Sequence, residues 1–106
     1  MFALALFLHL KPNSVASFER TFEDVIILLP RRQVGFKDQI TLVAPCESIA
    51  MGLSLWDQKE NADAYDRNAR PEVLKALANV IEEAPHIGFF KVSNSTSHII
   101  AAGVVN

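Results

Sequence analysis

The chain has one cysteine and no cluster of positive charge. The first excludes an internal disulfide, and the second argues against nucleic acid binding. Cys46 is the single cysteine among 106 residues, so no disulfide can form within the chain, and a reducing cytoplasmic compartment is the simplest expectation. Lysine and arginine occur without long runs, and the formal net charge is −2. Nucleic acid binding depends on clustered cations, so we expect no nucleic acid partner.

The chain also lacks a hydrophobic run long enough to cross a bilayer. Its apolar start, residues 1–10, is about half as long as the ~20 residues that a spanning helix needs, and it has no basic region or small-residue cleavage site. We therefore predict a buried strand there and no membrane association. Apolar residues make up 50% of the sequence, which is ample for one core, and we expect a single domain over residues 1–106.

Hydrophobic periodicity predicts the element order β-α-β-β-α-β. Alternation indicates strands, whereas a spacing of three and four residues indicates helices. The second helix is predicted in two pieces, with a capping box of Asp57 and Glu60 at its start and a restart at Pro71. The predicted spans are 1–10, 15–29, 34–43, 49–56, 57–84 and 87–100. This order is typical of an α+β ferredoxin-like plait, a four-stranded antiparallel sheet with helices on one face.

Each of the first three strands has one bulky face and one slender face. In the third strand, Met51 and Leu53 alternate with Gly52 and Ser54. We expect the bulky faces to meet the helices and the slender face to be bare in a monomer; that bare face is predicted to carry Ala3, Phe7, Thr41, Gly52 and Trp56. A second copy of the chain could cover it by burying about 800 Å² on each subunit, with a hollow between the two sheets.

Three segments of the chain resemble the antibiotic biosynthesis monooxygenase domain family. They are the strand-to-helix junction 53–65 around Trp56, the start of the second predicted strand after Pro30 with Gly35 at its head, and the helix opening at Pro71. The resemblance implies a dimeric α/β barrel with a cavity between each sheet and its helices or near the strand ends. It also implies a range of activities, since some members oxidise polyketide quinols with oxygen and no metal or flavin, relatives degrade haem, and many have no known activity.

The haem-degrading branch of that family uses an asparagine, a tryptophan and a histidine. This sequence has Leu6 at the place corresponding to the asparagine, and Ala76, Leu77 and Ala78 near the place of the histidine. Haem is therefore disfavoured, and we expect no cofactor. His86 and His98 have no spacing that would build a metal site.

Five residues are candidates for a substrate site. Trp56 matches a pocket-lining tryptophan of the quinol-oxidising branch and is interpreted as a pocket or interface wall, with a core plug as the alternative. Tyr65 could hydrogen-bond a ligand or pack as an ordinary helix tyrosine, and Ser54 and Phe7 are expected to line the same space. His9 is a candidate base because imidazole titrates near neutral pH, but a histidine that only ends a strand is the simpler interpretation.

Two functions of different classes remain open. The first is a cofactor-independent monooxygenase that acts on an electron-rich aromatic, quinol-type substrate, with His9 as base and Trp56 and Phe7 as walls. The second is a non-catalytic dimeric domain that binds a small ligand or takes part in a stress response. The absence of a dense polar cluster in the sequence favours the second function, whereas the resemblance favours the first.

Overall fold

A computed structural model describes residues 1–96, and it confirms the predicted ferredoxin-like arrangement. The strands form one antiparallel sheet in the order β2-β3-β1-β4, and both helices belong to the same core. The last predicted strand is shorter than expected, and the part of it beyond residue 96, with His98, lies outside the described residues. The elements are β1 (Phe2–His9), α1 (Val15–Asp24), β2 (Phe36–Ala44), β3 (Ile49–Trp56), α2 (Lys59–Leu77) and β4 (His86–Lys91).

The two helices cover one face of the sheet with a continuous apolar stripe. Phe18 and Phe22 of α1 lie one helical turn apart, with their ring centroids separated by 5.3 Å. On α2, buried residues recur every three or four positions, as an amphipathic helix requires: Ala62, Tyr65, Ala69, Val73 and Leu77. Neither helix is long and apolar enough to cross a membrane within the described residues.

The predicted assignment of sheet faces is wrong for β2 and β3. Residues directly opposite each other on paired strands project to the same side, and Leu4 faces Ser54 while Leu6 faces Gly52. The slender residues of β3, Trp56 with them, therefore lie under the helices, and Thr41 opposite Gly52 lies there too. Ala3 and Phe7 do lie on the open face, where they are joined by the bulky residues of β3: Ile49, Met51, Leu53 and Leu55.

The faces are reversed because α1 packs large side chains against the sheet. A Cβ atom added at Gly52 would lie 2.9 Å from Cζ of Phe22, which is closer than packed carbon atoms approach. Phe22 can occupy that position only because the strand beneath it offers no side chain. The small residues of β3 are thus complementary to large residues of the helices.

The second helix differs from its prediction in two respects. It is one continuous helix with Pro71 inside it, because Ala69 and Val73 on either side of the proline are both buried in the core. The predicted capping box is also wrong, since Gln58 is the N-cap and no side chain caps the helix. The carboxylate of Asp57 instead accepts a hydrogen bond of 2.7 Å from Asn61 Nδ2, and this bond is the main cause that lowers the pKa of Asp57.

A glycine holds the junction between β3 and α2 in place. Gly35 has a φ of +83°, a conformation that favours glycine, and its carbonyl accepts the Asp57 N–H at 2.9 Å. A side chain at this position would collide with the carboxylate of Asp57 and the amide of Asn61. The close approach fixes the end of β3, and so it fixes Trp56.

Candidate functional site

A cavity of about 230 Å³ lies between the helices and the covered face of the sheet. Its walls are mainly apolar and come from both strands and helices, including Leu4, Leu6, Phe22, Ala69, Val73 and Ile87. Gly52 and Ser54 form part of its sheet side, so the same slender residues that admit Phe22 also leave this space open. An apolar space with a few polar groups is the usual construction of a small-molecule site.

An aromatic cluster supports one end of the cavity. Trp56 is fully buried, and its indole N–H donates a 2.8 Å hydrogen bond to Ser54 Oγ. The ring of Tyr65 lies against the indole with a centroid distance of 5.0 Å, and Phe36 meets the indole edge-on at 5.6 Å. Trp56 therefore contacts two residues that line the cavity, Ser54 and Tyr65.

Tyr65 brings a hydroxyl group to this cavity. Burial raises its pKa to about 12, with smaller contributions from the negative charges of Asp66 and Glu72. The phenol consequently stays protonated throughout the physiological pH range. At the cavity it can donate a hydrogen bond, but it cannot serve as an anionic base.

A charged pair lies at the solvent side of the cavity. Arg70 Nε donates to Asp66 Oδ1 at 3.3 Å, and Arg70 Nη2 contacts the second carboxylate oxygen. Both residues line the cavity, and the Asp66 side chain is only 14% exposed whereas that of Arg70 is 49% exposed. The arginine thus covers the aspartate from the solvent side, and the pair adds no net charge.

The structure brings only part of the predicted site together. Ser54 and Tyr65 line the cavity, and Trp56 lies directly behind them. Phe7 and His9 belong to the open face, on the opposite side of the sheet from the cavity. The roles of all five residues remain predictions, but these two cannot share a ligand in this cavity with the other three.

Sequence reasoning missed three polar residues of the cavity: Gln39, Asp66 and Arg70. The spacing of Asp66 and Arg70 is that of an ion pair on one helix face and was a usable signal. Gln39 could have been found only from strand register, since it lies opposite Ser54. Among residues 1–96, no three potential metal-ligating side chains come together.

Comparison with known proteins gives likeness of structure rather than of sequence. No protein-family profile matches the chain, and no curated protein sequence matches it. A protein of Bordetella bronchiseptica that is provisionally named an antibiotic biosynthesis monooxygenase superposes with a TM-score of 0.73 at 14% identity, over 86% of this chain and 95% of that one. A provisionally named antibiotic biosynthesis monooxygenase of Caulobacter crescentus gives 0.70 at 16% identity, over 88% and 90%.

A third solved structure limits what this likeness means. The NE2512 protein of Nitrosomonas europaea, whose function is unknown, gives a TM-score of 0.74 at 17% identity and covers 95% of both chains. At such identities the likeness concerns the fold and leaves the reaction open. The chain therefore has the same fold as proteins that are provisionally named antibiotic biosynthesis monooxygenases.

Proposed function

We propose that this protein binds a small, flat, oxygen-bearing aromatic molecule in the cavity and oxidises it with molecular oxygen, without a bound cofactor. The observation that carries the proposal is the cavity itself, an apolar space of about 230 Å³ with hydroxyl groups on its sheet and helix walls. That volume is below the usual range for drug-sized ligands, so one or two fused rings are the appropriate size. The structural likeness to proteins named as monooxygenases supports the same choice.

The proposed reaction is balanced without a metal or flavin. A phenol and one molecule of oxygen give a quinone and one molecule of water, so one oxygen atom enters the ring and the other leaves as water. The substrate supplies the electrons and the hydrogen atoms. The protein's contribution is to hold the electron-rich ring against apolar walls, among them Leu4, Leu6 and Val73, and so to reduce its contact with bulk water.

The base that the sequence suggested is not available to this cavity. His9 lies across the sheet, and Asp66 is the only carboxylate among the described lining residues. We therefore assign Asp66 the role of accepting the phenolic proton, with Arg70 holding it in position. Tyr65 stays protonated, so it is a hydrogen-bond donor in this scheme.

One observation favours a second function for the same cavity, namely ligand binding without turnover. No histidine is among the described lining residues, and Asp66 is already engaged by Arg70. A site without a ready base could hold a small aromatic ligand and leave it unchanged. Oxygen consumption separates the two functions, because binding alone consumes none.

We further propose that the protein is a cytoplasmic homodimer that pairs through the open face of its sheet. Large apolar side chains are exposed there, and Phe90 is 51% exposed. A contiguous apolar surface of this kind is a usual feature of an interface. The other exposed large apolar residues of the open face are Phe7, Ile40, Leu42 and Ile49.

Oxygen-electrode measurements with a panel of hydroxynaphthalenes would test the proposal. Wild-type protein should bind at least one member, which calorimetry would detect, and should consume one oxygen per quinone formed. Ala69→Leu fills the cavity from α2 and should reduce both binding and oxygen uptake at least tenfold. Ala64→Leu, a change to a half-buried residue of the same helix outside the cavity lining, is the matched control and should leave both unchanged.

Each outcome of this experiment has a distinct meaning. Binding with oxygen uptake supports the oxygenase, and binding without uptake across the panel supports the second function alone. No binding by wild-type protein, or equal binding by the Ala69→Leu variant, would overturn the use of this cavity.

A further inference from the structure

Ser54 is placed to act as a hydrogen-bond donor toward the cavity. Its oxygen accepts the indole N–H of Trp56 at 2.8 Å, and this bond uses one acceptor position of the hydroxyl group. Within residues 1–96, the Ser54 hydroxyl donates no hydrogen bond of its own. Ser54 is 4% exposed and lines the cavity, so the space in front of it is where a partner would lie.

Tyr65 presents a second donor to the same space. Its pKa of about 12 keeps the phenol neutral, and its hydroxyl makes no hydrogen bond within the described part of the chain. Since no fully enclosed polar atom lacks a partner in that part of the chain, the hydroxyl is at least partly accessible, and Tyr65 is one of the residues that line the cavity. A neutral phenol in an apolar space can donate a hydrogen bond to an oxygen acceptor of a ligand.

Trp56 links the two donors without lining the cavity itself. Its N–H fixes the oxygen of Ser54, and its ring plane lies at 31° to that of Tyr65 with the centroids 5.0 Å apart. The indole is fully buried and is held edge-on by Phe36, so it has little freedom to move. The fixed indole therefore restrains the side chains that carry both hydroxyl groups.

We propose that Ser54 and Tyr65 form a paired-donor corner that selects ligands bearing a carbonyl-type oxygen, and that Trp56 is a positioning residue that orients Ser54. This inference rests on the proposed use of the cavity for small aromatic ligands and names the feature by which they are chosen. A ligand without the oxygen leaves both hydroxyl groups buried and unpaired, which is unfavourable. Selection therefore has two sources. A ligand with the oxygen gains a hydrogen bond, and a ligand without it leaves the hydroxyl donors unpaired.

Calorimetric titration with two matched probes tests the paired-donor corner. The probes are 1-tetralone, which has a fused ring system with one carbonyl group, and tetralin, the same ring system without it. Wild-type protein should bind 1-tetralone at least tenfold more tightly than tetralin. Ser54→Ala and Tyr65→Phe should each reduce this ratio severalfold, while the affinity for tetralin stays the same or rises.

A further variant separates positioning from packing. Trp56→Phe keeps an aromatic ring but removes the N–H that holds Ser54, so it should reduce the 1-tetralone to tetralin ratio even where tetralin affinity is retained. A loss of packing alone would weaken both probes together and leave the ratio unchanged. Ser93→Ala, at an exposed serine after β4, is the control and should match wild type.

The results distinguish this inference from the proposed function. If both probes bind the wild type and the ratio survives Ser54→Ala and Tyr65→Phe, the paired-donor corner is wrong while ligand binding in the cavity stands. If Ser54→Ala and Tyr65→Phe reduce the affinity ratio but Trp56→Phe leaves it unchanged, the positioning role of Trp56 is wrong. If neither probe binds wild-type protein, the paired-donor corner is overturned, and the hydroxynaphthalene titration decides separately whether the cavity takes small aromatic ligands.

Discussion

The two faces of the sheet solve opposite packing problems. On the covered face, β3 presents Gly52 to Phe22 of α1 and leaves beside it a cavity that Gly52 and Ser54 line. On the open face, the same strand presents Met51 and Leu53, with Phe90 of β4 on the same side of the sheet. Side-chain size on a strand is therefore complementary to what covers it, and a slender row indicates bulky neighbours at least as readily as an absent partner.

The two faces of the sheet have different proposed functions. The proposed ligand site lies wholly within one protomer on the covered face, whereas the proposed dimer interface uses the open face. The sheet lies between them, so a substitution on one face should leave the function of the other unaffected. Substitutions can therefore test each face separately.

The largest effect is expected from removing the indole on the covered face. Trp56→Ala should lower the free energy of unfolding by about 3–5 kcal/mol, because it leaves a large cavity and takes the N–H donor away from Ser54. Urea unfolding at fixed protein concentration would measure it. A loss below about 1 kcal/mol would show that the buried aromatic cluster of Trp56, Tyr65 and Phe36 is not central to stability.

A charge on the open face should act on assembly instead of on the ligand. Leu42 is 47% exposed, and Leu42→Glu should weaken the proposed dimer at least tenfold, since it places an unpaired carboxylate in an apolar interface. Sedimentation velocity over a concentration series would show the shift toward monomer. Val34→Glu is the matched control, because Val34 is 79% exposed and lies outside the sheet. A wild-type protein that is already monomeric at micromolar concentration would contradict the interface.

A smaller effect concerns alkaline pH and belongs to the covered face. The pKa of Tyr65 is about 12 in the folded protein and 10.0 without the fold, so the folded state retains the phenolic proton longer than the unfolded state. Its contribution to stability is complete below pH 10 and is lost as the pH rises toward 12, by about 1–3 kcal/mol. Tyr65→Phe should remove this part of the pH dependence. Tyr65 is the only tyrosine, so phenolate absorbance would also report its titration directly.

The smallest effect is expected for the histidine of the open face. His9→Ala should change ligand affinity in the cavity by less than twofold, because the sheet separates His9 from the lining residues. Calorimetry with a hydroxynaphthalene that binds the wild type would measure it, with Ser54→Ala as the matched substitution on the covered face. A tenfold loss in the His9 variant would mean that the ligand binds the open face.

The sequence predicted the fold well because periodicity and turn residues are local signals. The order of elements and the β2–β3 hairpin follow from alternation and from a short connection at Pro45. The continuity of α2 could not be predicted in this way. Pro71 opposes a helix locally, and only burial of the residues on both sides, which is a tertiary effect, overrides it.

The candidate site was less predictable, since it depends on register. Ser54, Trp56 and Tyr65 were predicted from the strand-to-helix junction, where local sequence is informative, and the structure brings them together although their roles stay predictions. His9 and Phe7 were grouped with them because side-chain size was used to assign faces, and size does not say which face the helices cover. Gln39 joins the site only through its pairing opposite Ser54, a contact between distant parts of the chain.

Pro71 also changes the backbone hydrogen bonds of α2 beside the cavity. A proline has no N–H to donate, so the carbonyl of Arg67, four residues earlier, loses its usual backbone partner. Arg67 and Pro71 both lie at a shallow surface depression that shares Asp66 and Arg70 with the cavity. The turn of α2 that lacks this bond thus adjoins the solvent side of the cavity, and amide exchange in that turn should be faster than in the turns around Tyr65 and Leu77.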